Sequence, residues 1–148
     1  MRTKRINSRQ KGKCGERLWR DELHAMGFLT AKRGVQHQGG TDSPDVVCAD
    51  LPGVHCEVKF NVQGMDFDTV LLADALDQAR KDAGEFVCAF PSGKEEDFVQ
   101  RPYYVAWKPP RKPWRITYPC PKSGLLVTVT GADMKRALLM LASKDGGQ

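Results

Sequence analysis

A chain of 148 residues with 23 lysines and arginines against 18 acids carries a formal net charge of +5, and is long enough for one domain to bury a core without disulfides or a structural metal. Its five cysteines, Cys14, Cys48, Cys56, Cys88 and Cys120, are an odd number without any Cys-x-x-Cys spacing, which argues against a disulfide framework and a zinc finger. No apolar run is long enough for a signal-peptide core or a membrane span, so a soluble, cytoplasmic protein is expected.

In chain order, residues 1–12 read as a basic arm ahead of a single domain over 13–148. Residues 13–27 read as the first helix, because Trp19, Leu23 and Met26 fall at i, i+4 and i+7 and Gly27 supplies a stop. Glu16 lies on the same stripe, where a carboxylate is costly unless a cation or a metal answers it. The ordinary alternative is an acid in the first turn, favoured by the helix dipole. Residues 28–31 read as a short strand, followed by a loop that holds Arg33 and His37.

Asp45 then opens a short apolar run, Val46-Val47-Cys48-Ala49, and the turn signal Asp50-Leu51-Pro52-Gly53 separates it from a strand over residues 54–60. Val54, Cys56, Val58 and Phe60 alternate onto one face of that strand, and His55, Glu57 and Lys59 onto the other. A tight turn folds the two runs into a hairpin, which places Asp45 near Glu57 and Lys59. Two hard oxygen ligands beside an amine suit Mg²⁺, an ion that takes few protein carboxylates and keeps room for phosphate. Lysine there would orient the nucleophile or stabilise the charge of the transition state. The ordinary alternative is a solvent-facing Glu57 and Lys59 pair of little energetic weight. His55 reads as an exposed strand histidine, with help in proton transfer as its alternative.

Residues 69–82 read as a second helix with Leu71, Leu72, Ala75, Leu76 and Ala79 as its apolar stripe, Gln78 at the border of that stripe and Gly84 as its stop. Strands are expected over 85–90 and 103–108, then a stiff proline segment over 109–113. A C-terminal extension over 109–148 would add a strand at 125–129 and a helix to Leu141, begun by a capping box at Thr130-Gly131-Ala132-Asp133. Met134, Leu138 and Leu141 form its packing side. The expected fold is α/β, a mixed central sheet flanked by helices, with residues 13–108 as core.

Charge is unevenly spread. Residues 1–15 hold six bases (Arg2, Lys4, Arg5, Arg9, Lys11, Lys13) and no acid, whereas residues 42–97 hold thirteen acids and four bases. Residues 98–132 again lack acids and set Arg101, Lys108, Arg111, Lys112, Arg115 and Lys122 among tyrosines and tryptophans. Basic flanks around an acidic middle match an enzyme that gathers phosphates while attracting a divalent cation. Arg2, Lys4, Arg5, Arg9, Lys11, Lys13, Arg33, His37, Arg111, Lys112 and Arg115 are the candidate DNA contacts, and Trp114 the candidate for stacking on an unpaired base. Solvated charge at the N-terminus remains the ordinary alternative.

Pro44-Asp45, Glu57-Val58-Lys59 and the upstream Glu16 resemble the PD-(D/E)XK nuclease superfamily. The order and spacing, with Gly12-Lys13, Gly27-Phe28 and the Gly39-Gly40 loop, are most similar to archaeal-type and phage Holliday junction resolvases over about residues 11–108. The resemblance implies a restriction-endonuclease-like core and a Mg²⁺-dependent endodeoxyribonuclease, with Mn²⁺ able to substitute, that resolves four-way DNA junctions in recombination or repair. Asp45, Glu57 and Glu16 would hold the metal, Lys59 would place the nucleophile and Gln78 would support the lysine. Symmetric cutting implies a homodimer, and the setting would be a bacterial, archaeal or phage-infected cell. The alternatives are a nuclease of the same fold acting on duplex, nicked or flapped DNA, and a non-catalytic DNA-binding protein.

Overall fold

The computed structural model describes residues 8–34, 45–66, 69–89 and 96–142. Arg2, Lys4, Arg5 and His37 lie outside these residues. The elements are α1 (Ser8–Ala25), β1 (Lys32–Arg33), β2 (Val46–Val47), β3 (His55–Phe60), α2 (Val70–Ala83), β4 (Glu85–Ala89), β5 (Glu96–Gln100), β6 (Tyr103–Lys108), β7 (Arg115–Pro119), β8 (Leu126–Thr130) and α3 (Asp133–Ala142). The expected basic arm is shortened, because helix α1 already begins at Ser8 and takes in Arg9 and Lys11.

A four-stranded mixed sheet in the order β3-β6-β7-β8 organises the domain. Strand β3 runs parallel to β6, with Glu57 beside Val105, and β6, β7 and β8 are antiparallel. The sheet is covered on both faces, and alternation sorts its side chains. Cys56, Tyr104, Ala106, Ile116 and Tyr118 join Trp19 and Leu23 of α1 and Met134, Leu138 and Leu141 of α3 in one core. Tyr103, Val105 and Trp107 join Leu72, Ala75, Leu76 and Ala79 of α2 in the other. Strands β7 and β8 and helix α3 are therefore integral to the sheet and its main core rather than an extension of it.

Helix α1 comes very close to β3. A Cβ added at Gly15 would overlap Phe60 Cβ, an atom tied to the backbone that has no room to swing aside. Gly15→Ala should therefore destabilise the protein by about 1–2 kcal/mol, the overpacking cost exceeding the roughly 1 kcal/mol gained in helix propensity. Urea unfolding would check this, and a stabilised variant would show that the helix can move away without cost.

Several expected elements differ. Residues 28–31 form turns, not a strand, because Phe28 belongs to the helix stop: its N–H donates to Leu23 O at 2.9 Å, Gly27 has a φ of 101°, and the Phe28 ring is buried. Among the described residues strands β4 and β5 pair only with each other, so the strand expected after α2 does not join the central sheet there. Thr130 does not cap α3. Its hydroxyl donates to Trp114 O at 3.1 Å, the preceding turn being held instead by Met134 N–H on Gly131 O.

Candidate metal centre at the edge of strand β3

Strand β3 is the outer strand of the central sheet, and Asp45 is bound along its open side. The Asp45 N–H donates to Cys56 O at 3.0 Å, and its carboxylate Oδ2 accepts the Val58 N–H at 2.8 Å. From the other direction, Gly34 N–H donates to Asp45 O at 3.0 Å. The turn after β2 is pinned as well, since the Thr30 hydroxyl donates to Asp50 Oδ2 at 2.7 Å and accepts from Asp50 N–H at 3.0 Å. The hairpin expected from the turn signal is not formed as a strand pair: β2 pairs with β1 rather than β3, and it is Asp45, through Cys56 O and the Val58 N–H, that ties this segment beside Glu57.

Glu57 is buried at 7% exposure and lies on the α2 side of β3. Its Oε1 is 3.1 Å from His55 Nε2. His55 is itself 6% exposed, so the expectation of an exposed strand histidine is corrected: the C-terminal half of α2 covers that face. Lys59 projects from the same face two residues further on, and among the described residues no carboxylate pairs with it.

Glu16 reaches the centre from α1. Its Oε2 accepts from Arg33 Nε at 2.9 Å, which supplies the cationic partner that its place on the buried stripe demands. Arg33 is therefore committed to Glu16 rather than presented as a DNA contact. Burial, then the charge of Glu57, push the Asp45 carboxyl up to about 7, with Glu16 and a hydrogen bond with Glu57 adding to this and the Val58 N–H opposing it. Among the described residues Glu16, Asp45 and Glu57 do not gather their oxygens as closely as a ligand group would, but Asp45 and Glu57 lie close enough to couple by charge and hydrogen bond. Their oxygens suit a hard divalent cation, which would hold both acids ionised.

Two expected site residues are elsewhere. Gln78 is exposed and donates to both carboxylate oxygens of Asp82, each at 2.9 Å, so it braces that acid and not Lys59. Trp114 is 5% exposed, stacked against Phe60 and packed on Trp19 at 5.2 Å between ring centroids. It is core and offers no face to a base. Arg115 lies over the Trp107 ring at 4.8 Å and its Nη1 is 3.9 Å from Asp66, again a structural setting. Lys13, Arg111 and Lys112 are exposed, as expected of phosphate contacts.

Sequence reasoning passed over Asp82 and undervalued His55. His55, Glu57 and Asp82 offer ligand atoms that all lie within 4.8 Å of one another, a group able to hold a metal ion. The signal available was the shared face of His55 and Glu57 and the i, i+4 spacing of Gln78 and Asp82. Among the described residues no helix is long and apolar enough to cross a membrane. No protein-family model, no curated protein and no solved structure matches this chain.

Proposed function

We propose that this chain is a divalent-metal-dependent endodeoxyribonuclease. The observation that carries the reading is the coupling of Asp45 and Glu57 at one strand edge, with Glu16 near enough to add to it and Lys59 on the face of Glu57. Asp45 and Glu57 bind the ion, Mg²⁺ by preference and Mn²⁺ as substitute, and Glu16 helps to hold it. When bound, the ion supplies Lewis-acid stabilisation of the phosphate under attack. Lys59 positions the attacking water and offsets the growing negative charge. Asp45 is kept in place by three hydrogen bonds with backbone groups, two of them to β3, so its orientation does not depend on the metal.

A groove of about 850 Å³ begins where β3 ends, lined by Asn61, Gln63, Asp66, Pro110, Arg111 and Lys112. Its two exposed bases would lead a phosphate backbone toward Lys59. Arg111 holds φ at 63°, a left-handed conformation that costs a non-glycine residue about 1 kcal/mol. Arg111→Gly should therefore raise stability by roughly that amount while weakening DNA binding and lowering its salt slope by about one. Thermal unfolding and binding at a series of salt concentrations read the two effects separately. Loss of stability with unchanged binding would contradict both.

The narrower proposal is a homodimeric resolvase of four-way junctions, which rests on the sequence resemblance and on the need for two centres to cut opposed strands. The test is cleavage of end-labelled four-way junction, matched duplex and flap DNA with Mg²⁺ or EDTA, comparing the wild type with Lys59→Ala. Paired symmetric nicks confined to the junction, lost with EDTA and in the variant, are the expected result. Equal cutting of duplex would retain the metal chemistry and remove the resolvase assignment. Tight binding without any cutting would leave a DNA-binding protein.

A further inference from the structure

The geometry points to a second divalent-metal site, formed by His55, Glu57 and Asp82 on the α2 side of β3, which takes an imidazole-preferring ion such as Mn²⁺, Co²⁺ or Zn²⁺ and has Glu57 in common with the Asp45 centre. It goes beyond the nuclease reading and does not depend on it.

The donor set differs from that of the Asp45 centre in chemistry and in position. An imidazole nitrogen and two carboxylates favour Mn²⁺, Co²⁺ or Zn²⁺, whereas Mg²⁺ prefers oxygen alone. His55 Nε2 and Glu57 Oε1 are 3.1 Å apart, about the spacing of neighbouring ligands around an ion with bonds of about 2.1 Å. The third ligand atom is already within 4.8 Å, so a turn of the Asp82 side chain is what completing the set requires. Asp82 is only half-buried, and the side chain that braces it, Gln78, is exposed, so neither obstructs that movement.

Three further observations favour a cation there. Asp82 is the penultimate residue of α2, so the negative end of that helix lies at the site. A cavity of about 380 Å³, lined by Val47, Leu51, His55, Asp82, Gly84 and Arg101, gives an ion and its waters a way in from solvent. His55 and Glu57 are both more than nine-tenths buried, a setting that makes their polar atoms costly unless something holds them together. Gln78, which donates to both Asp82 oxygens, acts as the positioning residue of this site, the part that outer hydrogen bonds play around metal ligands.

Co²⁺ binding to the full chain tests this through absorption spectra, stoichiometry and the proton resonances of the derivative. Wild type should bind two ions, one of them giving a far-shifted exchangeable imidazole N–H resonance that excess Mg²⁺ does not remove. Asp82→Asn should lose that ion or bind it at least tenfold more weakly, while Asp45→Asn should keep it and lose the other. Gln78→Ala should weaken it by a smaller factor and leave the fold intact. If Asp82→Asn retains both ions with wild-type affinity, or if no bound ion shows an imidazole resonance, the second site is overturned. Retention of both ions by Asp45→Asn would instead overturn the metal reading of the Asp45 centre and leave this one standing.

Discussion

Asp45→Asn is expected to slow DNA cleavage about a thousandfold and, in the same protein without metal, to raise the melting temperature at pH 8. Both effects come from one charge. The asparagine keeps an oxygen for the Val58 N–H, so the loop stays bound to β3. It loses the anionic ligand, and about 4 kcal/mol of transition-state stabilisation by a correctly held cation corresponds to that thousandfold. Without the ion, an ionised Asp45 at pH 8 is a half-buried anion beside Glu57 and near Glu16. Its removal relieves repulsion and desolvation, which should appear as a gain of several degrees. Single-turnover cleavage and thermal unfolding in EDTA measure the two halves. Unaltered cleavage would remove Asp45 from the metal centre, and a lower melting temperature at pH 8 would mean that its charge is compensated.

The outline of the site was legible in the sequence while its completion was not. Glu57 and Lys59 share a face by the period of two, and the turn at 50–53 returns the chain so that Asp45 binds beside them, although β2 pairs with β1 and not with β3. Glu16 was legible because a carboxylate on the stripe of Trp19 and Leu23 demands a partner. Which partner depends on where β1 returns the chain, and Arg33 is seventeen residues away. Asp82 belongs to a helix whose angle across the sheet decides which of its residues reaches His55, and periodicity along α2 carries no information on that angle.

The same limit explains the misreading of Trp114 and the absence of β7 from the expected strands. Flanking prolines and bases gave Trp114 the look of a surface aromatic, but the turn at 109–114 brings it back over Phe60 and Trp19. That turn joins β6 to β7 as an antiparallel pair, with Trp107 beside Arg115. Prolines near both ends of Arg115–Pro119 mask a strand whose Ile116 and Tyr118 face one core and whose Thr117 accepts from Trp107 Nε1 at 2.9 Å. Local composition marks where a chain can turn; long-range pairing decides what the turn buries.

The pH dependence of the metal-free protein should carry the sign of Asp45. Its carboxyl ionises near 3.8 in the unfolded chain and near 7 in the folded one, so between those values the folded state holds a proton that the unfolded state has released. Stability from this group is complete below about pH 4, declines by up to about 1.4 kcal/mol per pH unit as pH rises, and is lost above about pH 7, a total of a few kcal/mol. Asp77 has the opposite sign, its carboxyl being lowered by hydrogen bonds from Lys81 and Arg80, but it is fully exposed and acts below that window. A divalent cation competes with the Asp45 proton. Apparent Mg²⁺ affinity should therefore rise up to tenfold per pH unit below 7 and level off above it, with about one proton released per ion bound at pH 6 and none at pH 8.5. Calorimetry in two buffers of different ionisation enthalpy counts that proton directly. The same measurement on Asp45→Asn should show none at either pH. Proton release that persists in the variant would assign the titration to another group and detach the acid-side loss of metal binding from Asp45.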